Sequence, residues 1–260
     1  MAQGNVIKLA GEFSDDALPR YYPNDGSLTK GHKFMFDMKN LITYPAQAAQ
    51  VGSTTLLKNL VTGGPDAQVV GSTYMTYTAG GGLKLTQANG GVDMGAGNYD
   101  IGALGNINFV YGAWVMFPTG AEENTTSFQT ILGKSISTAA GNIQTLIDSG
   151  LSGKRPRGSA GNASTVQFSS KTTDISLGVV HHLACVVENN TVQLYVDGIA
   201  QGAPTAIAGP LASPAVNWRA CYSWAKGTIY RWYLESLTDS GRTGAAAVAD
   251  EYAKNTGRYS

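Results

Sequence analysis

The sequence predicts an all-β antiparallel sandwich with a less regular N-terminal arm and a short C-terminal helix. Short apolar or alternating runs recur about every ten residues from residue 66 onward. Between them stand glycine clusters and tight-turn pairs: 33 of the 260 residues are Gly, nearly twice the roughly 7% of an average chain. Helical patterning is confined to one stretch near the C-terminus.

Residues 1–65 differ in texture from the rest. Leu18 to Gly26 is punctuated by turn formers, and Tyr44 to Gln50 reads as an extended connector. Phe34 to Met38 has the makings of one short strand. The apolar density of this segment is too low for an independent core, so it is expected to be an arm packed on its own domain or on a neighbour. A domain boundary is placed at 65/66.

The next runs are short. Val69-Val70, Tyr74 to Tyr77 and Leu83 to Thr86 are separated by Gly80-Gly81-Gly82 and Gly90-Gly91. Phe109 to Phe117 is a strong strand ended by Pro118, and it is apolar on both faces, which predicts that both are covered. Thr130 to Gly133 and Ile143 to Ile147 follow as strands. Ser152 to Ser164, carrying Lys154-Arg155-Pro156-Arg157, reads as a basic Gly/Ser-rich loop. The clearest hairpin runs from Leu183 to Val196. There Leu183, Cys185 and Val187 share a face with a period of two, Glu188 to Thr191 supplies the turn, and Val192, Leu194 and Val196 return. Asp197-Gly198 is a further tight turn. A last strand covers Gly227 to Leu234. Ser240 or Thr243 is placed to cap a helix over Ala245 to Lys254.

Three of these passages resemble the laminin-G-like, or concanavalin A-like, jelly-roll superfamily. Phe109 to Val115 resembles its Phe-x-x-x-Ala-Trp-Val strand. His181 to Val187 with Thr191 to Gly198 is similar to its Trp-His-His-Val-Ala-Val and Leu-Tyr-Val-Asp-Gly hairpin, and Gly227 to Leu234 with the closing helix is similar to its last strand and tail. The resemblance spans roughly residues 66–260. It implies a jelly roll and leaves function open, because this fold serves lectins, glycosidases, adhesion modules and virion proteins. Two departures stand out: Val180 replaces the Trp before the paired histidines, and Tyr230-Arg231 replaces the usual Asp-Glu of the last strand. A looser resemblance, in texture and not in motif, is to structural proteins of tailed bacteriophages.

Composition removes several classes of function. Eighteen basic and eighteen acidic residues give a formal net charge of zero, which disfavours nucleic acid as a partner. No apolar run is long enough to span a membrane as a helix, and the N-terminus lacks the basic-then-apolar pattern of a secretory signal. Cys185 and Cys221 lack metal-site spacing and are read as two reduced, partly buried thiols, with one disulfide as the alternative.

Candidate chemistry is sparse. Glycoside hydrolysis needs a pair of carboxylates across the bond, and no Glu-x-Asp-x-x-Glu run occurs; Glu122-Glu123 and Asp250-Glu251 are adjacent pairs. Only His32, His181 and His182 offer a catalytic base. The last two point to opposite faces of one strand, which also prevents them from sharing a metal. Asp93, Asn98 and Asp100 supply about half the oxygens a calcium site needs and suit turn stabilisation better. Trp218, Tyr222 and Trp224 share one parity on an extended chain. They form the candidate glycan-stacking face, or else a core or subunit-interface face.

The expected protein is therefore non-enzymatic and needs no cofactor or metal. Its expected role is that of a tailed-phage virion structural protein, in the tail, baseplate, fibre or head decoration. Its partners would be other virion subunits, a homo-oligomer (a trimer) and a cell-surface glycan, with no nucleic acid and no membrane insertion. The alternatives are a stand-alone lectin module and an atypical glycoside hydrolase.

Overall fold

The computed structural model describes residues 25–48, 50–71, 75–86, 90–95, 99, 108–120, 129–134, 143–148, 155–161, 165–209, 211, 217–222 and 226–259. For 143–148, Gln129 and Tyr222 it describes the backbone alone. In chain order the strands are β1 (His32–Asp37), β2 (Leu56–Leu57), β3 (Ala67–Val70), β4 (Met75–Tyr77), β5 (Leu83–Leu85), β6 (Gly91–Asp93), β7 (Phe109–Met116), β8 (Gln129–Lys134) and β9 (Ile143–Asp148). They continue with β10 (Arg155–Gly161), β11 (Val166–Ser170), β12 (Val180–Glu188), β13 (Thr191–Val196), β14 (Ile199–Ala200), β15 (Thr205–Ala206), β16 (Arg219–Tyr222) and β17 (Gly227–Ser236). Two helices close the chain, α1 (Leu237–Ser240) and α2 (Gly244–Asn255).

Two antiparallel sheets stack face to face. The first runs β14-β13-β12-β7-β17-β5-β4, with β1 also paired to β17 and β15 to β13; the second runs β11-β10-β9-β8-β16-β6-β3-β2. Alternation sorts the side chains. Phe109, Tyr111, Ala113 and Val115 of β7, Leu183, Cys185 and Val187 of β12, and Trp232 and Leu234 of β17 all enter the core between the sheets. Both thiols are buried and unbridged, and burial pushes each up to about 12, where it is inert.

The opposite face of β7 is covered too. Val110 packs with Ala184, Val186, Tyr233, Ala247 and Val248 beneath α2. Thr243 caps that helix by accepting from the Ala246 amide. Gly244 lets its first turn lie on β12, where a Cβ would collide with Val186.

Two regions fold differently from the sequence reading. The described part of the expected arm builds β1 and β2. Phe34 and Phe36 of β1 are fully buried in the inter-sheet core, and β2 is hydrogen-bonded to β3 across the 65/66 boundary. Arg155–Gly161, expected as a basic loop, is β10, paired to β9 and β11. Small residues there face the core because Cys185 approaches: a Cβ on Gly158 would lie 2.8 Å from its Sγ. Arg157 instead faces outward, over the Phe168 ring at 4.4 Å.

Candidate functional site

Among the described residues, one end of the first sheet's outer face is left open beside α2 and the C-terminal tail. Val180 of β12 pairs with Met116 of β7, Met116 with Thr228 of β17, and Thr228 with Lys84 of β5. These four residues form one row across four strands. At about 4.8 Å per strand the row is about 14 Å long. Two adjoining clefts of about 490 and 440 Å³ lie along it and share Met116 and Gly178.

The clefts differ in character. The first is lined by Thr78, Lys84, Thr119, Thr228 and Tyr230. The second has an aromatic and aliphatic floor of Trp114, Val180, Tyr252 and Tyr259, rimmed by His181, Asp197 and Thr256. Trp114 is the centre of a ring stack. Tyr252 lies parallel to it, with centroids 5.7 Å apart and 1° between planes, and His182 stacks on it at 4.8 Å. A β-bulge in β17 puts Tyr230 and Arg231 in succession on the outer face. Tyr230 thereby reaches the groove while Arg231 reaches the tail.

Arg231 fastens the wall of the groove. It is fully buried. Nε donates to Glu251 Oε1 at 2.7 Å, and Nη1 donates to Asp25 Oδ2 at 2.8 Å and to Asp37 Oδ2 at 3.1 Å. Glu251 also accepts from the Trp114 indole at 3.0 Å. The Tyr259 hydroxyl donates to Asp37 at 3.0 Å, and Arg258 pairs with the same oxygen at 2.7 Å. The floor (Trp114), the helix (Glu251) and the tail (Arg258, Tyr259) are thus tied to one guanidinium. Burial alone would raise the Asp25 carboxyl, but Arg231 holds it below the usual range.

His181 and Asp197 at the rim are a structural pair. His181 Nδ1 is 2.8 Å from Asp197 Oδ2 and Nε2 is 3.0 Å from the Ser176 carbonyl. Both neighbours are acceptors, an arrangement that favours the doubly protonated ring. The bond to Asp197 raises its pKa accordingly. Asp197 Oδ1 accepts from the His182 amide at 2.9 Å. His182 lies on the other face, and burial depresses it to about 3.

Of Trp218, Tyr222 and Trp224, the structure describes the side chain of Trp218, which takes the core position that the sequence left open as the alternative. Trp218 is fully buried. Its ring meets Phe34 and Tyr111 edge-on at 5.7 and 5.6 Å, and its indole donates to the Tyr99 carbonyl. In this position it cannot stack on a sugar. Cys221, three residues on, has φ +54°, in the left-handed region. The Tyr222 side chain and Trp224 lie outside the described residues, as do Asn98, Asp100 and Glu122-Glu123. Asp93 is held by Arg219 at 2.9 Å and by Asn217 at 2.7 Å. Among the described residues no group of three or more His, Cys, Asp or Glu is placed to hold a metal.

The groove was missed by sequence reasoning because its parts come from β5, β7, β12, β17 and the tail. One signal was available: Arg231 is a charge among the apolar residues Ile229 to Leu234, and a buried charge needs partners.

Comparison with known proteins fits this architecture. The family model of the Concanavalin A-like lectin/glucanases superfamily matches residues 86–228. No curated protein matches the chain by sequence. Among solved structures, a Trypanosoma rangeli sialidase superposes with a TM-score of 0.60 at 14% identity, over 90% of this chain and 34% of its own. The chain therefore spans about a third of the sialidase's length. Domain 4 of AbnA, a GH43 extracellular arabinanase from Geobacillus stearothermophilus, in complex with arabinotriose, superposes with a TM-score of 0.57 at 16% identity, over 86% of this chain and 98% of that domain. The binding domain of botulinum neurotoxin serotype D gives 0.62 at 8% identity, over 88% and 53%. At these identities the likeness is one of fold.

Proposed function

As this chain belongs to the Concanavalin A-like lectin/glucanases superfamily, we propose that it binds carbohydrate without turning it over, in the groove floored by Met116. The observation that carries this reading is the pairing of surfaces in the groove. The half-buried Tyr252 ring, backed by the buried Trp114 and Tyr259, offers an apolar surface for the C–H face of a sugar. Hydroxyls at Thr78, Thr119 and Thr256, with Lys84 and Asp197, offer a rim for its hydroxyls. Two features support the non-catalytic part. His181 has both nitrogens engaged, and Asp25, Asp37 and Glu251 are engaged by Arg231.

A glycan array followed by titration calorimetry on the best binder tests the proposal. Thr119 is exposed at the rim, and Thr119→Trp is expected to fill the first cleft and abolish binding while leaving the unfolding midpoint in place. Tyr252→Ala is expected to weaken binding about three- to tenfold through lost stacking. Unchanged affinity in both variants would sink the groove as the sugar site.

We propose further that the protein serves as a virion structural subunit of a tailed bacteriophage, as a homotrimer whose jelly roll contacts neighbouring subunits or host glycan. What supports this is the neutral, low-charge, glycine-rich texture and the turn-rich first residues. Light scattering on the chain with and without residues 1–24 is the direct test. Truncation must stop there, because removal through residue 65 would take β1 and β2 out of both sheets. A trimer that dissociates on truncation is expected; a monomer in both forms overturns the assembly role and leaves a lectin module.

A further inference from the structure

We infer that Met116 is a modification site for peroxide, and that its oxidation to the sulfoxide weakens sugar binding in the groove. The second half rests on the carbohydrate reading above and adds regulation to it. The first half stands on burial alone.

Burial sorts the sulfur atoms. Met35, Met38 and Met94 are fully buried, and Met75 is 1% exposed. Cys185 and Cys221 are buried as well. With their thiols pushed up to about 12, neither presents the thiolate that peroxide meets fastest. Strand β7 is buried from Phe109 through Val115 and opens at its last residue, Met116. Among the described residues, Met116 is the one sulfur-bearing side chain that is not buried. Both clefts reach it, and hydrogen peroxide is small and neutral enough to enter either. The thioether sulfur attacks one peroxide oxygen, the O–O bond breaks and an S–O bond forms. The second oxygen leaves as water with both protons. Sulfur gives up two electrons and the peroxide takes them.

Position gives the product its effect. The two clefts meet at Met116 and Gly178. There the thioether is an apolar, polarizable floor for a sugar that crosses from one cleft to the other. The sulfoxide replaces it with a polar group and adds an oxygen at the waist. The Tyr230 hydroxyl, which donates weakly to Met116 Sδ at 3.9 Å, is placed to donate more strongly to that oxygen.

The test treats the native chain with dilute hydrogen peroxide and maps its peptides by mass. Met116 is expected to gain one oxygen at least about tenfold faster than Met35, Met38, Met75 and Met94, which must wait for the fold to open. In denaturant the five rates should converge. Equal rates in the native chain overturn the modification site. The oxidised protein is then titrated with the best glycan of the array, and binding about tenfold weaker is expected, with the near-ultraviolet circular dichroism retained. Met116→Leu carries no sulfur at the waist and should keep after peroxide whatever affinity it had before. Unchanged affinity in the oxidised wild type, or an equal loss in peroxide-treated Met116→Leu, overturns the regulation. So does a dichroism signal that collapses in step with the affinity, because the damage is then global. If no glycan binds the untreated protein, the carbohydrate reading falls and takes the regulation with it, whereas the mass map alone decides the modification site.

Discussion

Replacing Arg231 with methionine is expected to cost the fold about 3–5 kcal/mol, the usual penalty for removing one partner of a buried ion pair. The size follows from what remains. Asp25, Asp37 and Glu251 would stay beneath the tail, with side chains no more than 4% exposed. Arg258, a third exposed, pairs with Asp37 and Asp25 of these three carboxylates. Methionine is close to arginine in length and keeps most of the packing against Met35, so the loss reports charge and not a cavity. Chemical denaturation gives the answer through the shift in midpoint at constant slope. Arg231→Lys keeps the charge and loses the fork, and should fall between the wild type and Arg231→Met. A loss below about 1 kcal/mol would mean that the carboxylates are carried by Arg258 and protonation, and that Arg231 is not the fastening. Because Glu251 also holds the Trp114 indole, the same variant should weaken sugar binding before the protein unfolds.

The parts of this molecule that read plainly from sequence are those where a local pattern and its partner lie close in the chain. The hairpin from Leu183 to Val196 is one: its period-two faces and its Glu188–Thr191 turn appear in the observed register, with Leu183 opposite Val196 and Glu188 opposite Thr191. The double coverage of β7 is another, since a strand apolar on both faces must be buried on both. Other patterns read less plainly. Parity made Trp218 a candidate stacking ring, but a tryptophan on one face of a sandwich strand serves the core equally well, and there it is fully buried. The bulge at Tyr230 redirects the last strand. Glycine and serine made β10 look like a loop, whereas the small residues answer to the approach of Cys185. The groove and its fastening are non-local throughout: Asp25 and Arg231 are 206 positions apart, and no spacing rule connects them.

Stability is expected to fall on the acid side of about pH 6.5, and the two histidines buried in neutral form set the slope. His182 is fully buried between the Trp114 and Tyr233 rings, and burial depresses it from an ordinary 6.5 to about 3. His32 is depressed to about 4, chiefly by burial, although Glu235 pulls the other way. Between pH 6.5 and those values the unfolded chain binds protons that the native state refuses. The native form is therefore favoured in full above 6.5 and loses about 1.4 kcal/mol per pH unit for each histidine as the pH falls. His181 works with the opposite sign. Raised by Asp197, it stabilises in full below 6.5 and loses that contribution as the pH rises through its folded value. Together they place a stability maximum near pH 6.5. Asp25, Asp197 and Glu235 are all lowered, and they add to the loss as the pH falls below the ordinary carboxylate range; Glu251, raised by burial, opposes them. The histidine share is separated by His182→Phe. Phenylalanine keeps the stack on Trp114 and gives up the contact with the Tyr233 hydroxyl at 3.1 Å, at a cost of about 1 kcal/mol at neutral pH. Denaturation midpoints between pH 6.5 and 5 should then fall with one proton less in the slope, so the variant overtakes the wild type in acid. Parallel curves for the two proteins would show that His182 takes up its proton in the folded state, by opening the ring stack at the floor of the groove.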